Sequence, residues 1–135
     1  MDTFNYKVIA RKSPKDKSVK YYASPVKAGT VTTDDLAREI AGRCSLTYGD
    51  LVNVFRNLND IMPKYLSMGF HVKLDGLGTL FLTMNSKGTP TKKEFRAENI
   101  KKIGFHIYLA NMLKNSVLEE LKLEKVKDED EEDEP

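Results

Sequence analysis

Two histidines, one cysteine, a glycine pair and a cluster of lysines are the residues of this chain whose types and spacing could do chemistry. His71 and His106 each stand alone in a stretch of alternating apolar and polar residues. Neither a second histidine nor a cysteine pair lies at ligand spacing, so both read as half-exposed imidazoles and no metal site is assigned. Cys44 closes an apolar helical stripe and reads as a small core residue, since a nucleophile would need a base and an oxyanion donor that no motif supplies. Gly76-Leu77-Gly78 lacks both the third glycine and the following helix of a dinucleotide fingerprint. With no paired acids in a recognisable motif and no phosphate-cradling loop, no catalytic residues and no cofactor are assigned, and the chain reads as a non-enzyme.

The cations say more. Lys87, Lys92, Lys93, Arg96, Lys101 and Lys102 face only Glu94 and Glu98 in the polar stretch 84–99 and the apolar run that follows it. Flexible ammonium and guanidinium groups at this density can track phosphates, and they can equally belong to a solvated loop. The total charge conceals this surplus. The chain has 22 Lys+Arg and 20 Asp+Glu, but seven of the acids fall at 128–134, so residues 1–127 keep 22 cations against 20 − 7 = 13 acids, a formal +9. Such a body suits a polyanionic partner.

These residues need a scaffold, and 135 residues with 40% hydrophobic content provide one compact domain. One cysteine excludes an intramolecular disulfide, and no apolar run is long enough to span a membrane. The basic, polar N-terminus lacks an apolar signal core, so the expected location is the cytosol. Residues 4–26 alternate on both sides of Ser13-Pro14-Lys15-Asp16-Lys17, which predicts a β-hairpin. Thr32 with Asp35, and Thr47 with Asp50, are capping signals for a short and a long helix. The second carries an apolar stripe of Leu51, Val54, Phe55, Leu58, Ile61, Met62 and Tyr65. Pro63 predicts a bend there rather than an end, and Gly69 ends the helix. From Phe70 the period becomes two, and Asp75-Gly76-Leu77-Gly78 turns the chain into a return strand through Leu80 and Leu82. A helical turn within 91–99, a strand from Ile100 to Ile107, and a helical stripe of Leu109, Met112, Leu113, Val117 and Leu121 complete the ordered part. The acidic end, 127–135, is expected to be a disordered tail.

This order of elements resembles the HU and integration-host-factor family of bacterial DNA-binding proteins. Asp75-Gly76-Leu77-Gly78-Thr79-Leu80 resembles that family's glycine-aromatic-glycine strand turn, with Leu77 in the aromatic place. The run from Thr32 through Ala41, with Ser45-Leu46-Thr47, resembles its first helix and loop, and Tyr108 to Leu121 resembles its last helix. The likeness covers residues 30 to 123. The hairpin at the start and the ending Lys122-Leu123-Glu124-Lys125-Val126 are similar to an HU-related subfamily common in Bacteroidetes.

The resemblance implies an α+β, HU-like fold: two helices, a hairpin sheet with a basic arm and a closing helix, in an intertwined homodimer whose arms clasp the DNA minor groove. The implied division is 1–29 as a hairpin extension, 30–126 as the DNA-binding domain and 127–135 as the tail. Duplex DNA is the implied partner and the nucleoid the implied place, with the six arm cations on phosphates. Pro90 reads either as a wedge between base steps or as a turn proline. The apolar stripe of the long helix argues separately for a second chain, since it is wider than a monomer of this size needs to cover. A rival reading keeps the dimeric frame without DNA binding and uses Tyr6, Tyr21 and Tyr22 on an open strand edge to engage another protein. The acidic run reads as a solubilising tail or as a competitor folding across the basic arm.

Overall fold

The computed structural model describes residues 2–127; the acidic run lies outside them. In chain order the elements are β1 (Phe4–Lys12), β2 (Val19–Pro25), α1 (Thr33–Ala41), α2 (Tyr48–Ser67), β3 (Val72–Leu74) and β4 (Gly78–Ser86). Two single-turn 3-10 helices (Lys92–Glu94 and Ala97–Asn99), β5 (Ile100–Leu109), α3 (Asn111–Glu120) and β6 (Leu123–Lys125) follow. The mixed α+β composition is as expected. The described residues fall into two compact units, 2–30 with 117–127 and 31–116. None of their helices is long and apolar enough to cross a membrane.

The first unit is a sheet in the order β2-β1-β6. β1 and β2 pair antiparallel from Tyr6↔Pro25 to Lys12↔Val19. The turn between them is closed by Ser13 N–H donating to Ser18 O at 2.8 Å, and by the Asp16 carboxylate accepting from Ser18 N–H and Oγ. β6 was not anticipated: it pairs parallel with β1 through Phe4↔Leu123, Asn5↔Glu124 and Tyr6↔Lys125. Strand alternation places Tyr6 and Tyr21 on one face and Tyr22 on the other, so the three tyrosines do not share a surface.

In the second unit both capping boxes form. Thr32 and Thr47 accept from the N–H of Asp35 and Asp50, and each aspartate accepts in return from its threonine's N–H at 2.9 and 3.1 Å. Those returning N–H bonds, helped by the threonine hydroxyls, hold both carboxyls below the usual aspartate range. A depressed folded-state pKa means the stabilisation is present above pH 3.8 and is lost as pH falls through the lowered value. Thr47→Ala is expected to cost about 1 kcal/mol. Urea midpoints taken across pH should show Asp50→Ala weaker than wild type at neutral pH, with the gap narrowing in acid; a gap independent of pH would contradict the capping assignment.

α1 ends when Gly42 N–H bonds back to Arg38 O and Glu39 O, before the stripe reaches Cys44, which is exposed rather than in the core. α2 runs through Pro63 to Ser67, and Gly69 follows with a φ of +87°. Phe70 is not in the next strand. Its N–H bonds to Tyr65 O and its ring meets Tyr65 edge to face at 5.9 Å, so pairing starts only at Val72. β3, β4 and β5 form an antiparallel sheet in that order, joined at Asp75–Gly76 where Gly76 takes a φ of +79°. Tyr108 and Leu109, expected in the closing helix, instead pair with Thr79 and Gly78 and extend β5, while Leu121 falls beyond the end of α3. Among the described hydrophobic residues only Ala37 and Leu51, on α1 and α2, are buried.

Candidate nucleic-acid interface

β4 and β5 diverge after Asn85↔Lys102, where a bulge leaves Lys101 as the extra residue before Ser86↔Ile100. Beyond it Lys87 N–H donates to Asn99 O at 2.8 Å and closes the neck of an excursion, residues 87–99. The helical turn expected within 91–99 is present as the two 3-10 turns. Lys92 and Lys93 lie in the first turn, Arg96 opens the second, and Lys87 sits at the neck. The Arg96 N–H is held by Asn99 Oδ1 at 2.8 Å. All six expected cations are exposed, and among the described residues none of them forms an ion pair.

At the tip, Thr89 Oγ1 donates to Thr91 O and fixes the bend around an exposed Pro90. Pro90, Thr91, Lys92 and Phe95 line a hollow of about 410 Å³. Phe95 carried no role in the sequence reading. Its signal is that it is the lone aromatic in a basic, polar run.

The sheet below the arm has two chemically distinct faces. Alternation puts Val72, Leu80, Leu82, Met84, Phe105 and Ile107 on one side, and Lys73, Thr79, Phe81, Thr83, Lys102 and His106 on the other. On the polar side the rings of His71 and His106 both stack against Phe81, with centroids 5.1 and 5.5 Å away. His106 Nε2 is hydrogen-bonded to Thr83 Oγ1 at 2.9 Å. Gly104 permits this bond, because a Cβ there would overlap Thr83 Oγ1 and come within 2.8 Å of His106 Nε2. The two histidines thus stand together, although each looks isolated in the chain. Register sets His106 opposite Phe81, and His71, one residue before the paired Val72, joins the row by its ring contact with Phe81.

An antiparallel hairpin sheet bearing an exposed basic excursion thus shares one unit with two capped helices. The chain belongs to the HU-HIG family, described as an HU domain fused to wHTH, Ig or glycine-rich motifs, whose model matches residues 3–125. The resemblance carried by the glycine turn and the first helix is thereby confirmed. A crystal structure from Bacteroides vulgatus ATCC 8482, described as a candidate bacterial DNA binding protein, is similar in fold with a TM-score of 0.63 at 7% identity. The match covers 93% of this chain and 49% of that one, so this chain spans about half the length of that protein. No curated protein matches.

Proposed function

We propose that this chain is a non-enzymatic DNA-binding protein of HU type, which acts as a homodimer and holds duplex DNA largely without reading its sequence, on the nucleoid in the cytoplasm. The observation that carries the reading is the arm: four exposed cations on the excursion and two more, Lys101 and Lys102, at the start of β5, all unpaired among the described residues. Charges not neutralised within the chain are available to phosphates, and contacts to phosphates position a protein without specifying a sequence. Membership of an HU family and the description of the Bacteroides vulgatus relative support the same partner. Pro90 with Phe95 supplies an apolar tip of the kind that enters a base step, and the polar sheet face adds Lys73 to the cations of the arm.

The homodimer is supported by what the single chain leaves uncovered. On the apolar sheet face Phe105 is 80% exposed, Met84 71% and Ile107 61%, and Val54 and Ile61 of α2 are exposed as well. Apolar surface this contiguous calls for a partner, and a second copy supplies the same face.

If all six cations of both arms met phosphates, about twelve contacts would set a log-log salt slope near −10 as the upper limit. Titrating a random-sequence duplex from low to physiological salt tests this. A steep negative slope with little dependence on base composition is expected, and a flat response would remove the mechanism.

A further inference from the structure

The hairpin unit carries a charge surplus that the arm does not explain. Residues 4–27 hold seven cations, Lys7, Arg11, Lys12, Lys15, Lys17, Lys20 and Lys27, against one acid, Asp16. All seven are exposed. The register sorts the hairpin into two faces. Tyr6↔Pro25, Val8↔Ala23, Ala10↔Tyr21 and Lys12↔Val19 give a mainly apolar side, while Lys7↔Ser24, Ile9↔Tyr22 and Arg11↔Lys20 give a basic one. On that basic side the Arg11 guanidinium lies over the Tyr22 ring, 5.6 Å from its centroid, which holds a cation and an aromatic plane together. Glu124, beside Asn5 on β6, is the acid that alternation brings to this face, and its carboxylate accepts from Thr3 Oγ1 at 3.0 Å. Asp16 is likewise engaged, accepting from the hydroxyl and N–H of Ser18, which hold its carboxyl below the usual aspartate range. Lys15 and Lys17 add two further exposed cations at the hairpin tip.

We propose that this hairpin face, built from Lys7, Arg11, Lys20 and Tyr22 with Lys15 and Lys17 at its end, is a second nucleic-acid-binding surface of the protein. Cations spaced along a strand follow a sugar-phosphate backbone, and an exposed tyrosine among them provides a plane on which a base can stack. The surface lies in a different unit from the arm, so the inference stands whether or not the arm binds.

The test uses the full chain with a labelled random-sequence duplex and the matching single strand. Lys7→Glu/Arg11→Glu/Lys20→Glu is compared with wild type, with Lys92→Glu/Lys93→Glu, and with the combination. A neutral Lys7→Gln/Arg11→Gln/Lys20→Gln set covers the case in which charge reversal disturbs the strands, with circular dichroism reporting the fold. The expected result is a loss of about tenfold or more in affinity for at least one of the two probes, with the duplex slope shallower by about 2.7 per hairpin engaged. The combined variant should fall below the arm variant alone. A folded hairpin variant with unchanged affinity and slope on both probes overturns the proposal, whatever the arm variant does. Loss only with the arm variant confirms the arm and rejects this surface, and the reverse does the opposite. An effect seen only after truncation behind Lys127 would identify the chain's own acidic run as the occupant and would also overturn it.

Discussion

Reversing Lys92 and Lys93 to glutamate is expected to lower duplex affinity by about two to three orders of magnitude near physiological salt. In a dimer the change removes about four phosphate contacts, and at about 0.9 counterions per contact the salt slope should become shallower by about 3.6. The two lysines share one 3-10 turn, and neither meets a carboxylate among the described residues, so the substitution removes no internal ion pair. Its effect should therefore appear in binding and leave the melting temperature nearly unchanged. Arg56→Glu/Lys64→Glu on α2 makes the same change of net charge elsewhere. If that control weakened binding equally, the interaction would be with the charge of the whole body and the arm would lose its role.

Phe105→Asp is expected to abolish the dimer. In the single chain this side chain is 80% exposed, on the same sheet face as Met84 and Ile107. In the proposed dimer it is covered, and a carboxylate there would be desolvated with no partner while the aromatic burial is lost, a cost of about 3 kcal/mol or more per chain. Sedimentation should give twice 15.3 kDa for the wild type and 15.3 kDa for the variant. The variant should also melt earlier, because Ala37 and Leu51 are the only buried hydrophobic residues of the described chain and cannot sustain the fold alone. A wild type that sediments as a monomer, or a variant that keeps the wild-type mass and melting point, would refute the two-fold assembly.

What was legible in the chain was local. Thr32 with Asp35 and Thr47 with Asp50 lie within one helical turn of each other, and those boxes form as read. The glycine turn at 75–78 announced its hairpin in the same way. What escaped depends on partners distant in sequence. Leu123–Lys125 is too short to show a strand pattern and becomes one only beside β1. Tyr108 and Leu109 fit a helical stripe, and pairing with Thr79 and Gly78 overrides that spacing. The His71, Phe81 and His106 row depends on the neighbouring of β3, β4 and β5, which no local pattern announces. The arm cations were legible as a cluster, whereas the hairpin cations are interleaved with tyrosines and only the pairing register sorts them by face.

The parallel pairing of β6 with β1 also has a bearing on how the molecule is made. Phe4 is translated well before Lys122, whose carbonyl accepts its N–H. Until β6 is made, then, one border of β1 has no permanent neighbour, and the lysines and arginine of this hairpin discourage other nascent strands from taking the place. Folding of residues 31–116 in the interval shortens the free chain that must be looped before Val126 can donate to Tyr6. Of the described strands, β6 is thus both the last in chain order and the one that closes the free border of β1.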